Sequence, residues 1–209
     1  MNSLRFAQGG VKVTYVEQIL DIAKQFNGMI TATQVTEAEI PRRCLTECVN
    51  KELLYKASRG VYVLPDVWED EMFILQYKYP KGVFSYESAL YLHGLVDSTP
   101  LRYTMTFPKG YNITAAKNYG VGAKIVNVEN YDLGLIEVQS PCKNKIKVYD
   151  AERTLCDIVK GNNRCDIQIV NSAMRNYVKL KDKNINKLFE YSIQLKVKSQ
   201  IAHYMEVLL

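Results

Sequence analysis

The sequence predicts an α+β protein in which a small N-terminal helical unit closed by a β-hairpin precedes a larger mixed α/β domain that ends in helices. Three observations lead there. Residues 40–64, IPRRCLTECVNKELLYKASRGVYVL, pass from a helical period to two short β-rich runs around Ser58-Arg59-Gly60. Between Val83 and Tyr149, short runs rich in Val, Ile, Tyr and Phe are punctuated by Gly and Pro, as in a small sheet. From Asp150 onward the apolar residues recur every three or four positions, the spacing of helices that pack on one face.

Residues 1–13 contain Gly9-Gly10 and no helical period, so they are expected to be a flexible arm or an expression remnant, with Arg5 and Lys12 as its charges. Thr14 and Glu17 form a capping-box pattern opening a first helix, whose buried stripe is Val16, Ile19, Ala23 and Phe26 and which Asn27-Gly28 stops. Met29-Ile30 is a brief extended link. Thr31 and Gln34 repeat the capping pattern for a two-turn helix. Pro41 suits the first position of a third helix, because its missing N–H would have no intrahelical partner there. On that helix Ile40, Cys44, Leu45, Cys48 and Val49 make an apolar stripe, and Arg42, Arg43, Thr46, Glu47, Asn50 and Lys51 fill the remaining arc. Gly60 can supply the positive φ of a turn between two strands, which places a basic tip on a two-stranded β-wing.

Helix, short strand, short helix, turn, amphipathic helix and hairpin is the order of a winged helix-turn-helix, expected over residues 14–65. In such a unit the third helix enters the major groove. Arg42 and Arg43 then contact guanine or phosphate, Thr46 and Asn50 face base edges, and Thr33, Gln34, Lys51, Lys56 and Arg59 lie near phosphates. Which arginine reads a base is open at this stage. Glu47 would repel phosphate, so it is expected to face a cytosine amino group or a neighbouring arginine. A surface helix with a solvated face and an ordinary hairpin would show the same pattern, and the same scaffold also serves protein–protein contacts.

The remainder, residues 66–209, reads as a second domain. WEDEMFILQYKY is a linker helix with acidic residues in its first turn. Val83-Phe84 is a strand, Ser85 can cap a helix carrying Ser88, Ala89 and Leu92, and His93-Gly94 ends it as a C-terminal cap. Tyr103, Met105 and Phe107 alternate with Arg102, Thr104 and Thr106 in a strand expected to be half-buried. Residues 124–128, 135–139 and 146–149 are further strands. Asp150 caps the helix AERTLCDIVKG, where Arg153 and Asp157 stand one turn apart, either as an intrahelical ion pair or as a pair that pins a loop or meets a ligand. After Asn162-Asn163 the chain is expected to be helical to its end, with lysines 179–198 between the apolar stripes.

Composition narrows the functional classes. With 47% hydrophobic residues the chain can build a packed core, and no apolar run approaches the roughly 18 residues of a membrane span. A cytoplasmic protein without a membrane partner is expected, and five cysteines, an odd number, read as reduced thiols. Cys44 and Cys48 lack a nearby second pair or histidine, so core packing is expected and not metal binding. The net charge of +5 is uneven: residues 1–64 hold 8 basic and 6 acidic side chains, residues 65–140 hold 6 and 9, and residues 141–209 hold 13 and 7. Basic ends suit a nucleic-acid partner. The sequence shows no Gly-rich phosphate loop, no metal-ligand cluster and no Ser/His/Asp arrangement, and no cofactor is expected.

Three segments together, the helix and hairpin of residues 40–64, FSYESALYLHGL and YDAERTLCDIV, resemble the AbiEi-type antitoxins of type IV toxin–antitoxin systems, found in bacterial abortive-infection loci that act in phage defence. The last matches an "ERT-hydrophobic-x-D" signature through Glu152, Arg153, Thr154, Leu155 and Asp157. The resemblance covers nearly all of the chain after residue 13. It implies a winged helix that represses its own operon by binding inverted repeats in the promoter, two copies meeting on the DNA. It also implies a C-terminal domain that counters a nucleotidyltransferase-like toxin without a stable complex. On this reading the protein is not an enzyme, and Arg153 and Asp157 are the candidates for antitoxicity. Two alternatives stand beside it: a C-terminal enzyme that modifies the toxin or reverses its product, and a winged-helix module that binds only proteins.

Overall fold

The computed structural model describes residues 13–161 and 165–208. The expected N-terminal arm, apart from Val13, and the turn at Asn162-Asn163 lie outside the described residues. The chain is a mixed α/β protein of two compact units, one formed by the residues up to Lys78 with Gln139–Asn144, the other by Tyr79–Val138 and Lys145–Leu209.

In the first unit, α1 (Tyr15–Gln25) opens with the full capping box, Thr14 N donating to Glu17 Oε2 at 2.7 Å and Glu17 N donating to Thr14 Oγ1 at 3.2 Å. Such a cap stabilises a helix by about 1 kcal/mol. Ile19 and Ala23 are buried, but Phe26 becomes the C-cap and is 47% exposed, because the helix ends before its period reaches that residue. β1 (Met29–Thr31) leads to α2 (Ala32–Glu37), and α3 (Arg43–Asn50) begins one residue after Arg42, which stands as N-cap without a side-chain cap. Pro41 therefore precedes the helix; its carbonyl accepts from Cys44 N at 2.9 Å in the entering turn. β2 (Tyr55–Ser58) and β3 (Val61–Val63) form the hairpin, but β1 pairs with β3 as well, so the sheet has three strands in the order β1-β3-β2, all antiparallel.

The register explains the two cores of this unit. Met29 pairs with Val63 and Thr31 with Val61, while Ile30 pairs with Tyr62, so Ile30 and Met29 point to opposite faces. Ile30 joins Ile19, Ala23, Val35, Ile40, Cys44, Leu45, Cys48 and Leu54 under the three helices. Met29, Val61 and Val63 instead pack with Ile74 of α4 (Glu71–Lys78). That second cluster is why the first unit extends to Lys78 and does not stop near Pro65. Asp70, just before α4, is buried and accepts from Phe73 N at 3.0 Å; Ser140 Oγ and, at 2.8 Å, Asn144 Nδ2 also donate to its carboxylate. The segment Gln139–Asn144 is thereby part of this unit.

The second unit is built on a five-stranded sheet ordered β6-β5-β4-β8-β7, from β4 (Val83–Phe84), β5 (Thr104–Pro108), β6 (Gly122–Val126), β7 (Leu135–Gln139) and β8 (Lys145–Tyr149). β4 runs antiparallel to β5 and parallel to β8, and β5 runs parallel to β6. β5 lies inside the sheet and is buried on both faces over Thr104–Phe107, where the sequence suggested one. Two serines at the start of α5 (Glu87–Leu92) bond to it: Thr106 Oγ1 donates to Ser85 Oγ and the Thr104 backbone N to Ser88 Oγ, both at 2.8 Å. Ser85 is therefore spent on β5, and Tyr86 takes the N-cap position without a side-chain cap. Between β5 and β6 lies α6 (Thr114–Asn118), and Val128–Asn130 forms a 3-10 turn before β7. α7 (Ala151–Ile158), α8 (Ile167–Lys179), α9 (Ile185–Gln194) and α10 (Lys198–Leu208) complete the unit, sharing a core of Leu155, Met174, Tyr177, Leu188 and Ile201. Among the described residues no helix is long and apolar enough to cross a membrane.

Candidate nucleic-acid interface and the buried Arg153 cluster

Of the apolar stripe expected of α3, Ile40, Cys44, Leu45 and Cys48 are buried and Val49 is half-buried against the same core, and this fixes which face of the helix reaches solvent. Arg42, Arg43, Thr46, Glu47, Asn50 and Lys51 are all exposed. So are Lys56 and Arg59 on the hairpin and Thr33 on α2, whereas Gln34 is half-buried. The two arginines differ. Arg42 Nε donates to Thr36 Oγ1 at 2.8 Å, and Thr36 Oγ1 donates in turn to Ala32 O at 2.8 Å, so α2 holds the Arg42 side chain while leaving its terminal nitrogens to reach outward.

Glu47 faces neither of the arginines. It accepts from Lys51 Nζ at 2.7 Å, an i,i+4 pair with both side chains about half-exposed, and this hydrogen bond holds the Lys51 ammonium above the ordinary lysine range. The pairing offsets part of the repulsion Glu47 would exert on a phosphate. An exposed pair of this kind exchanges readily with solvent and ions. Gln34 spends its side-chain oxygen on the cap of α2, where Thr31 N donates to Gln34 Oε1 at 2.7 Å. Thr33 Oγ1 lies 3.0 Å from Tyr77 Oη of α4.

Tyr77 is a part of the site that sequence spacing does not show. Its ring also lies against Gly60, where an added Cβ would come within 3.2 Å of it, and Gly60 has the positive φ of +80° that the hairpin turn requires. Gly60 O accepts from Ala32 N at 2.8 Å. The turn carrying Arg59 is thus anchored at the start of α2, and the other end of α2 holds Arg42. Thr36 was equally hidden, since six residues separate it from Arg42 and no helical period links them.

In the second unit the ERT segment is almost wholly interior, every residue from Glu152 to Ile158 being buried. Asp150 caps α7 by accepting from Arg153 N at 2.8 Å, and its other oxygen is 2.8 Å from Lys187 Nζ. Glu152 Oε1 accepts from Tyr177 Oη at 2.8 Å and from Asn184 N at 3.2 Å. Arg153 is 1% exposed: Nε donates to Asp157 Oδ2 at 2.9 Å, Nη1 donates to Asn130 O at 2.7 Å and Leu133 O at 3.1 Å, and the guanidinium lies 4.5 Å from the Tyr149 ring centroid. Burial pushes the Asp157 carboxyl above the usual carboxylate range, against the opposing pull of Arg153. Of the roles open to this pair from sequence, the geometry is that of pinning a loop, residues 130–133, against α7. His93, the C-cap of α5, has Nε2 2.7 Å from Tyr149 O.

Neither a protein-family model nor a curated protein matches the chain. The crystal structure of the RV2827C protein from Mycobacterium tuberculosis is similar in fold, at 12% sequence identity and a TM-score of 0.55, over 99% of this chain and 82% of that one.

Proposed function

We propose that the first unit is a winged helix-turn-helix that binds duplex DNA, with α3 as its recognition helix and the β2–β3 hairpin as its wing. The observation that carries this reading is the exposed polar face of α3, with Arg42 and Arg43 at its N-terminal end, backed by the exposed Lys56 and Arg59 of the hairpin. A helix that presents its N-terminal half to the major groove and a basic turn to the backbone has the division of labour such modules use. Arg42, braced by Thr36, suits a phosphate or base contact that needs a fixed fork; Arg43, Thr46 and Asn50 suit base edges.

Joined to the resemblance of the FSYESALYLHGL and YDAERTLCDIV segments, this gives the fuller proposal. The chain is an AbiEi-type antitoxin that represses its own operon through inverted repeats and counters a nucleotidyltransferase-like toxin without a stable complex. Antitoxicity belongs to the second unit, with Arg153 and Asp157 acting by holding its loop in place. The buried, multiply bonded state of Arg153 supports that positioning role over direct contact with a ligand.

The experiment is a binding series on promoter DNA. Arg43→Ala should weaken operator binding by about 1–3 kcal/mol if it reads a guanine, and Lys56→Ala should weaken every duplex alike with a shallower salt dependence. If both variants bind like the parent at low salt, α3 and the hairpin are not the DNA-binding face.

A further inference from the structure

A cleft in the second unit has a cationic end and an apolar end that no part of the DNA-binding reading uses. At the cationic end, Arg102, Lys117 and Lys124 line a cavity of about 310 Å³ around Gly120–Gly122, and no carboxylate is among its lining residues. This gathering runs against the local composition, since residues 65–140 hold 6 basic and 9 acidic side chains. The adjoining cavity, about 470 Å³, shares Arg102, Gly122 and Lys124 with the first. Its walls are apolar at Val96, Pro100, Leu101 and Ile169, and polar at Ser98, Thr99 and Glu87. Leu101 is a fully exposed leucine at its rim.

The cleft is built on a fixed frame. Thr104 and Gly122 are register partners at the N-terminal ends of the parallel pair β5 and β6, and residues 96–102 and the α6–β6 turn supply its walls. Lys124 is held with its ammonium 5.2 Å from the centroid of Tyr86. Tyr86 has φ +52° and ψ −132°, a conformation that L side chains rarely adopt, and it is 7% exposed. Such backbone strain persists only where the surroundings enforce it, and it clusters at functional sites. Here it turns the chain directly into Glu87, a wall of the cleft.

We propose that this cleft binds a small phosphomonoester with a flat, hydrogen-bonding body, the class to which nucleoside 5′-monophosphates belong. Arg102 and Lys117, exposed at the end whose lining holds no carboxylate, match a dianionic phosphate, and Lys124 and Glu87 stand together where the two cavities join. Leu101, Pro100 and Ile169 offer apolar contact to a ring, Ser98 and Thr99 offer hydroxyls to a sugar, and the Glu87 carboxylate accepts from a ring N–H. The combined space is of the size that such ligand pockets occupy, roughly 300–1,000 Å³. The site stands on its own observations and does not depend on DNA binding by α3.

Calorimetric titration of the full chain with inorganic phosphate, the nucleoside 5′-monophosphates and the corresponding nucleosides tests it. At least one monophosphate should bind about tenfold or more tighter than both its nucleoside and inorganic phosphate. Arg102→Gln combined with Lys117→Gln, both exposed positions, should remove that preference without shifting the melting temperature, and Leu101→Asp should weaken the monophosphate but leave inorganic phosphate unchanged. Equal binding of monophosphate and nucleoside, no binding of any monophosphate, or unaltered binding by the double variant overturns the proposal. Displacement of a bound monophosphate by a short duplex in the Arg43→Ala, Lys56→Ala background would overturn it in favour of a nucleic-acid phosphate site.

Discussion

Replacing Arg153 by methionine keeps much of the side-chain volume while removing one charge-assisted bond to Asp157, two bonds to the carbonyls of Asn130 and Leu133, and the contact with the Tyr149 ring. Breaking a buried ion pair by deleting one partner costs about 3–5 kcal/mol, because the other charge is left in a medium that does not solvate it. The remaining partner is Asp157, whose carboxyl burial already raises; without Arg153 that rise is unopposed. A carboxyl whose folded pKa exceeds its unfolded value holds its proton more tightly in the folded state. Its contribution therefore falls as pH rises from the unfolded to the folded value, at about 1.4 kcal/mol per pH unit. The Arg153→Met deficit should thus be largest near neutral pH and smaller near pH 5. Urea unfolding followed by helical circular dichroism, fitted with allowance for two units, reads both values. Adding Asp157→Leu should recover the part of the loss that comes from the stranded carboxylate, while the Asn130 and Leu133 carbonyls stay without the Arg153 donors. A deficit below about 1 kcal/mol, or one that is equal at both pH values, would mean that Arg153 and Asp157 are not a buried, charge-coupled pair. The double variant also separates the roles of the pair: if toxin protection returns with stability, Arg153 positions the loop; if stability returns alone, it meets a ligand.

Two other perturbations probe the buried tyrosines and the Arg42 brace. Burial pushes the phenols of Tyr86, Tyr149 and Tyr177 upward, with the Glu152 hydrogen bond adding to the effect at Tyr177. Their raised folded pKa means stability is full below about pH 10 and is lost above it, so their phenolate absorbance should appear only together with loss of helical signal. Reversible titration of all 15 tyrosines at unchanged helicity would contradict that burial. Thr36→Val should weaken DNA binding with a change in unfolding free energy within about 0.5 kcal/mol, and Thr36→Ser should restore it, because only the hydroxyl braces Arg42. Unchanged DNA affinity in Thr36→Val would remove Thr36 from the site.

Local signals were legible in the sequence and long-range ones were not. The capping boxes at Thr14 and Thr31 and the Asp150 cap depend on residues three apart, and all three are formed. The stripe of α3 was equally readable, because burial of Ile40, Cys44, Leu45 and Cys48 follows from helical period alone. Thr104 and Thr106 looked solvent-facing because threonine is polar; Ser85, brought from 21 residues away, accepts from the Thr106 hydroxyl, and Ser88, 16 residues away, accepts from the Thr104 backbone N–H. Asp70 looked like a residue that favours a helix dipole, yet it is interior and bound by Ser140 and Asn144, 70 and 74 residues later. The spacing of Arg153 and Asp157 was visible as an ion pair, but its depth depends on carbonyls of Asn130 and Leu133, which no local pattern announces. At the candidate interface the same limit hid Thr36 and Tyr77. They act through other side chains and leave no periodic trace.

Recognition of duplex DNA by α3 and the hairpin, as proposed, is read by the affinity of the full chain for the duplex upstream of its own gene against a scrambled duplex of equal length, by fluorescence anisotropy at two salt concentrations. The upstream duplex should bind roughly 10³-fold tighter or more, with both affinities falling as salt rises. Equal affinity for the two duplexes, or no binding to either at low salt, would contradict it.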